Sequence, residues 1–390
     1  MPTPSATRCR DGARFWRPRP RWPGARAWAA TAGLLTASLL TPGLATAGDA
    51  ATRDPAVIRI GGSAWIMDAP TQIADVLGYF NAATAGSSAP RIEVDHFDSG
   101  LEALEELLAG RVDYALAAPT PVAHALLAAA NDPGDAAPPI VVLASIGISS
   151  SSHYIIARRD LGFTRPKDLV GRRLGLVTRT SGHYGWTVMA RLYGLDEDSV
   201  TLVDVPPRRQ GEALLNGEID AVLAWDPFAE KIRASLGNEA VLFPARNIYS
   251  PNWLLVSRSS EVRARPEVAE RVVRGYLLAT QLIEDDLDRA QQAYNDSGRA
   301  AGIDSIAAAG GVFWQLGLNW VVLAQLQEQF DWWRRIEGWP DAPGPHPSSY
   351  LHAAPLQKLA PAGVNLPTHL LSPIKPPRRL VPGQARRGTR

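Results

Sequence analysis

The chain has 390 residues, 46% hydrophobic and 20% charged, a balance that suits a folded protein of roughly two domains at about 150 residues each and excludes a disordered polyelectrolyte. Its net charge of +1 hides an uneven distribution: residues 1–47 hold seven Arg against one Asp, and residues 341–390 hold two Lys and five Arg against one Asp. Each end thus carries +6 and the body between them −11, too acidic to coat nucleic acid. Cys9 is the single cysteine, which rules out an intrachain disulfide, a Cys-rich zinc site and an iron–sulfur cluster.

The first element is a leader. Seven Arg precede an apolar stretch from Ala27 to Leu40, and Ala45-Thr46-Ala47 supplies a small-residue cleavage site. This is the pattern of a secretory signal over residues 1–47, cut after Ala47, and the apolar run is shorter than the roughly 20 residues a membrane span needs. The expected product is exported, thiol-free and periplasmic.

Past the leader, Arg59-Ile60-Gly61 opens a strand that leads through Trp65 into a helix near Pro70. A helix ending at Leu107-Leu108 runs through Gly110 into the strand Val112–Ala118. Val141–Ile146 and His153–Arg158 read as strands around the polar stretch Gly147–Ser152. Arg173–Val177 is a further strand, followed by Thr180-Ser181-Gly182 and a helix that stops at Gly194. A second helix end at Leu214-Leu215 then runs through Gly217 into the strand Ile219–Ala224, and Asn252–Ser257 is a last strand. From Pro266 to Asp288 and from Ala307 to Glu337 the pattern is helical, and the Pro- and Gly-rich stretch from Pro340 onward reads as an exposed, disordered tail.

Residues 107–118 and 214–225 share Leu, Leu, Gly, Asp, Leu and Ala at one offset. Helix–Gly–strand units are common in α/β proteins, yet the earlier strand–loop–helix recurs in both halves as well. The predicted fold class is therefore α/β with two similar lobes and a cleft between them. Expected boundaries are 56–152 for the first part of lobe 1 and 153–250 for an inserted lobe 2. Residues 251–340 form the return to lobe 1 with C-terminal helices, and 341–390 the tail.

Ligands of open α/β sheets sit beyond the carboxyl ends of strands, against helix N-termini. Thr180, Ser181, Gly182 and His183 are the sharpest candidates, because a hydroxyl cap and first-turn N–H groups hold an anion without a formal cation; a plain helix cap explains Ser181 equally simply. Trp225 and Asp226 follow the second repeated strand and suit either a cleft wall or a lobe core. Trp65 holds the corresponding early loop, with Thr120 opposite. Ser99-Gly100 precedes a helix, and His153 and Trp253 flank the expected hinges; Arg208-Arg209 suits the cleft rim or a solvated surface. His96, His124, His153, His183, His346, His352 and His369 show no metal spacing, and no cofactor is called for.

The body resembles the periplasmic solute-binding proteins of ABC importers in the nitrate/sulfonate/taurine and thiamine-precursor group. The residues that carry this are Gly78-Tyr79-Phe80, Phe97-Asp98-Ser99-Gly100, Leu108–Asp113, Asp168–Arg173, Thr180–Tyr184, Leu215–Ala221 and Trp225-Asp226-Pro227-Phe228, in order over roughly 57–290. The Trp-rich end from Phe313 to Trp339 and the basic tail depart from that group. The resemblance implies a type II periplasmic binding protein-like fold, a monomer whose lobes close on a small anionic ligand, and a membrane permease with its ATPase as partners. An aliphatic sulfonate or taurine is the expected ligand, with nitrate, bicarbonate or a pyrimidine precursor as alternatives. Enzymes that resemble these proteins, such as sulfinate desulfinases, use a cysteine that Gly62–Asp68 lacks, so no enzymatic activity is expected.

Overall fold

The computed structural model describes residue 54 and residues 56–63, 65–82, 88–131, 140–150, 153–244, 248–298, 306, 309, 311–339 and 346–371; the expected leader lies outside the described residues. In chain order, β1 (Val57–Ser63), α1 (Ala69–Val76), β2 (Arg91–Phe97), α2 (Gly100–Leu108), β3 (Tyr114–Ala117), α3 (Pro119–Asn131) and β4 (Ile140–Ser149) build most of a first lobe. A second lobe follows from β5 (His153–Arg158), β6 (Arg173–Leu176), α4 (Ser181–Leu192), β7 (Thr201–Asp204), α5 (Gln210–Leu215), β8 (Ala221–Trp225), α6 (Phe228–Leu236) and β9 (Ala240–Pro244). β10 (Asn252–Arg258) returns to the first sheet. After it come α7 (Ser259–Ala264), α8 (Pro266–Asp285), α9 (Leu287–Asp296), β11 (Val312–Phe313), β12 (Leu318–Asn319), α10 (Trp320–Glu337), α11 (Ala354–Leu359) and β13 (Val364–Asn365).

The first sheet has the order β11-β4-β10-β3-β1-β2 and the second β7-β6-β8-β5-β9. β2-β1-β3 and β7-β6-β8 are parallel trios, each extended by one antiparallel strand, β10 or β5, and then by β4 or β9 antiparallel to that. The two lobes are thus the same unit used twice, and the chain passes between them after β4 and after β9. The central strands read as continuous apolar runs because helices cover both faces; β3 and β8 are buried at every residue.

The repeat has a local cause. Gly110 and Gly217 both adopt positive φ, +77° and +72°, which ends α2 and α5 in the left-handed conformation that glycine takes without strain. Three residues later, Asp113 Oδ2 accepts from Arg59 N at 2.9 Å, and Asp220 Oδ2 accepts from Arg173 N at 2.8 Å. Each Asp therefore satisfies a backbone amide of the strand beside it, which explains its place in the repeat without a ligand. Asp113 is buried and also takes Arg258 Nη2 at 3.0 Å, so removing one partner would cost about 3–5 kcal/mol.

Two expectations are corrected. The helical pattern from Ala307 to Glu337 becomes helix only at Trp320, because Asn319 Oδ1 accepts from Val321 N and Val322 N and so caps the chain there. Val312–Phe313 and Leu318–Asn319 are short strands instead. The disordered tail is corrected over 346–371, where Leu351, Leu356 and Leu366 are buried and β13 pairs with β12. Its prolines punctuate short elements, with Pro355 in the first turn of α11; residues 341–345 and 372–390 lie outside the described residues.

Candidate functional site

The carboxyl ends of the parallel strands meet at one cavity between the lobes. Ser63 and Trp65 reach it after β1, Asp98 to Leu101 after β2, Ala118 and Pro121 after β3, Thr180 and Ser181 after β6, Trp225 from the end of β8 and Trp253 from β10. The space is about 360 Å³ with the open solvent at its mouth included.

Helix starts supply the positive potential. Ser99 Oγ caps α2 by accepting from Glu102 N at 3.2 Å, and Thr180 Oγ1 caps α4 by accepting from Gly182 N at 3.2 Å. The first amides of each helix have no intrahelical acceptor, and the dipoles of α2 and α4 point their positive ends at the cavity from opposite lobes. α3 adds a third such end but fewer donors, since Pro119 and Pro121 have no N–H. The loop entering α4 is strained: Arg179 is the only non-glycine residue with positive φ, +63°, among the described residues.

Charge at the cavity is self-neutralised. Asp98 is the only ionisable side chain among the described residues of the lining, and Arg208 of the second lobe grips both its carboxylate oxygens. Arg179 Nη2 reaches Glu105 Oε1 at 3.1 Å, a second ion pair across the cleft. Both pairs are exposed enough to be worth little each, about 0–1 kcal/mol, and both join the first lobe to the second. Behind Ser63, the buried Asp68 carboxylate accepts from Ser63 N and Thr71 Oγ1, and burial pushes its pKa up to about 7.

The remaining wall is aromatic. Trp65 and Trp253 meet edge to face with centroids 4.7 Å apart, and Trp225 stands against Phe228 at 6.3 Å. His153 lies between Trp65 and Trp225, at 6.4 and 6.2 Å, and its Nε2 is 3.1 Å from Ser181 Oγ. Burial pushes the His153 pKa down to about 4, so the ring is neutral near pH 7.

Of the residues singled out in the sequence, Trp65, Ser99, Thr180, Ser181, Trp225 and Trp253 line the cavity, and four others stand outside it. Thr120 is buried beneath the first turn of α3, its carbonyl accepting from Trp333 Nε1 at 2.8 Å. Gly182 lets α4 approach β8, since a Cβ there would lie 3.1 Å from Leu223 Cδ2. His183 turns away, with its ring 5.0 Å from that of Trp332, and burial lowers its pKa to about 4. Asp226 is half-buried, its pKa raised by burial, and its Oδ1 has no hydrogen-bond partner among the described residues. Of the lining, Asp98 was not singled out as a site residue. Asp98 lies inside the Phe97–Gly100 motif, but its partner is 110 residues away and leaves no local sign. Among the described residues no group of three or more His, Cys, Asp or Glu is arranged to hold a metal.

A family model described as NMT1/THI5 like matches residues 69–290. A Bacillus subtilis (strain 168) protein named for aliphatic sulfonate binding is 24% identical over 231 residues, which are 58% of this chain and 66% of that protein, so the chain spans just under two thirds of that relative's length. The alkanesulfonate-binding protein SsuA from Xanthomonas axonopodis pv. citri, bound to MOPS, superposes with a TM-score of 0.60 at 20% identity, over 74% of this chain and 96% of that one. The periplasmic nitrate-binding protein NrtA from Synechocystis PCC 6803 does so with a TM-score of 0.59 at 15% identity, over 81% and 91%. At these identities the structural likeness speaks for the fold.

Proposed function

The chain belongs to the NMT1/THI5-like family, and from that premise we propose that it is the solute-binding component of an ABC importer for a small oxyanion, foremost an aliphatic sulfonate. The observation that carries this is the pair of capped helix starts, α2 and α4, aimed into one cavity from opposite lobes, with no Lys or Arg among the described residues that line it. Such a site holds a singly charged anion through amides and hydroxyls rather than a counter-charge. The indoles of Trp65, Trp225 and Trp253 favour a ligand with an apolar body behind its oxyanion, which supports a sulfonate above nitrate. Taurine ranks below plain alkanesulfonates, because Asp98, the lining carboxylate its ammonium would use, is already held by Arg208.

In this reading the ligand docks on one lobe, the other closes over it, and the closed form is presented to a membrane permease and its ATPase. The leader would deliver the protein to the periplasm. The names of the relatives and the full cleft without a nucleophilic cysteine support a binder rather than an enzyme. Isothermal titration with ethanesulfonate, butanesulfonate, taurine, nitrate and bicarbonate is the test. Alkanesulfonates should bind most tightly; silence across the panel, or chemical turnover of any member, would overturn the proposal.

A further inference from the structure

Ser181 is the one hydroxyl at the cavity that shares its hydrogen bond with a histidine. His153 Nε2 lies 3.1 Å from Ser181 Oγ, both residues are buried, and the ring is packed by Trp65, Trp225 and Tyr249 with centroids 6.2–6.4 Å away. Its backbone is fixed as well, since His153 is the first residue of β5 and pairs with Trp225 at the end of β8. The ring therefore cannot swing away to release Ser181.

A neutral imidazole has one N–H, so the bond has a direction. With the proton on Nδ1, Nε2 must accept from Ser181, whose oxygen then shows the cavity only lone pairs and repels an anion. With the proton on Nε2, the ring donates to Ser181 Oγ and the serine O–H is released toward the ligand. Resting on the oxyanion-binding reading above, we propose that His153 is a positioning residue whose Nε2–H donates to Ser181 Oγ and so makes Ser181 a hydrogen-bond donor to the ligand.

The groups around the ring fit this role. Among the described residues in contact with the ring, Ser181 faces it from the start of α4, Trp225 from β8, Trp65 from the loop after β1 and Tyr249 from the segment before β10, and none of these four is an ionised group. Asp98 is the cavity's carboxylate and is engaged by Arg208, while Asp68 bonds to Ser63 N and Thr71 Oγ1. Burial holds His153 neutral, so Nε2 can donate to Ser181 only as the ring's single N–H.

The test uses ethanesulfonate and the full exported chain. His153→Leu, which has no N–H, should weaken binding about tenfold, as expected for a lost bond to a charged ligand. His153→Gln, which can donate an amide N–H, should return to within about threefold of wild type. In a Ser181→Ala background the Leu and Gln variants should bind alike. Because the Leu variant risks misfolding, nitrogen-15 NMR of the wild-type imidazoles gives an independent readout: on saturation with ethanesulfonate, the His153 Nε2 should carry the proton. A bare Nε2 in the complex, equal losses for Leu and Gln, or independent losses with Ser181→Ala would overturn the proposal. Absence of ethanesulfonate binding by the wild type would instead sink the oxyanion reading beneath it.

Discussion

Gly100→Ala adds one methyl group at the start of α2, and the structure leaves no space for it. An ideal Cβ would lie 2.8 Å from Ala117 Cα, 2.9 Å from Leu116 O and 2.5 Å from Trp253 Cη2. Carbon–carbon contacts settle at about 3.5 Å or more, so against Ala117 alone the helix must retreat by roughly 0.7 Å. Two of the three neighbours are backbone of the fully buried β3, and the third is an indole held edge to face by Trp65, so none can yield cheaply. Overpacking of this kind costs about 1–3 kcal/mol, against at most about 1 kcal/mol gained from the better helix former. The net loss should lower Tm by roughly 2–6 °C, and moving the α2 amides should weaken ethanesulfonate binding about tenfold. Calorimetry and isothermal titration measure both. Gly211→Ala in α5, where the new Cβ meets Ile232 Cγ1 at an ordinary 3.4 Å, is the control: it should leave the affinity unchanged and hold or slightly raise Tm through helix propensity. Wild-type Tm and affinity for Gly100→Ala would refute the close approach of α2, β3 and Trp253.

Arg208→Ala leaves Asp98 unpaired beside the ligand and should weaken ethanesulfonate binding about threefold, less at high salt; adding Asp98→Asn should restore it, and a double variant as weak as the single one would count against the cross-cleft pair. The His183 pKa, about 4 in the folded protein, lies below its ordinary 6.5, so its stabilising contribution is complete above pH 6.5 and lost as pH falls toward 4. His183→Gln should therefore flatten urea midpoints across that window by one proton, about 1.4 kcal/mol per pH unit, while leaving ligand affinity near wild type because the ring faces Trp332. An unchanged acid limb would show that the ring is not buried as described.

Much of the scaffold was legible because its causes are local. Gly110 and Gly217 mark helix ends through their own φ, and Thr180 and Ser99 cap the helices that immediately follow them. The tail was misjudged for a matching reason: proline content reports backbone freedom, whereas the order of 346–371 comes from Leu351, Leu356 and Leu366 burying against the first lobe. The near-helical spacing of the Trp-rich end points to core packing, which Trp332 and Trp333 do, but not to which helices they join. Trp332 Nε1 donates to Thr187 of α4 at 3.1 Å and Trp333 Nε1 to Thr120 O of α3, so consecutive residues of α10 hold one helix from each lobe.

By itself the sequence determined two α/β units, their strand–helix punctuation and the loops that end at the cleft, since hydrophobic period, caps and glycines act within a few residues. Only the tertiary structure decided which of those loop residues meet. His153 reaches Ser181 over 28 positions and Arg208 reaches Asp98 over 110, while His183, two residues past Ser181, turns to the Trp332 ring instead. Helical rotation separates near neighbours in the chain, and lobe packing joins distant ones.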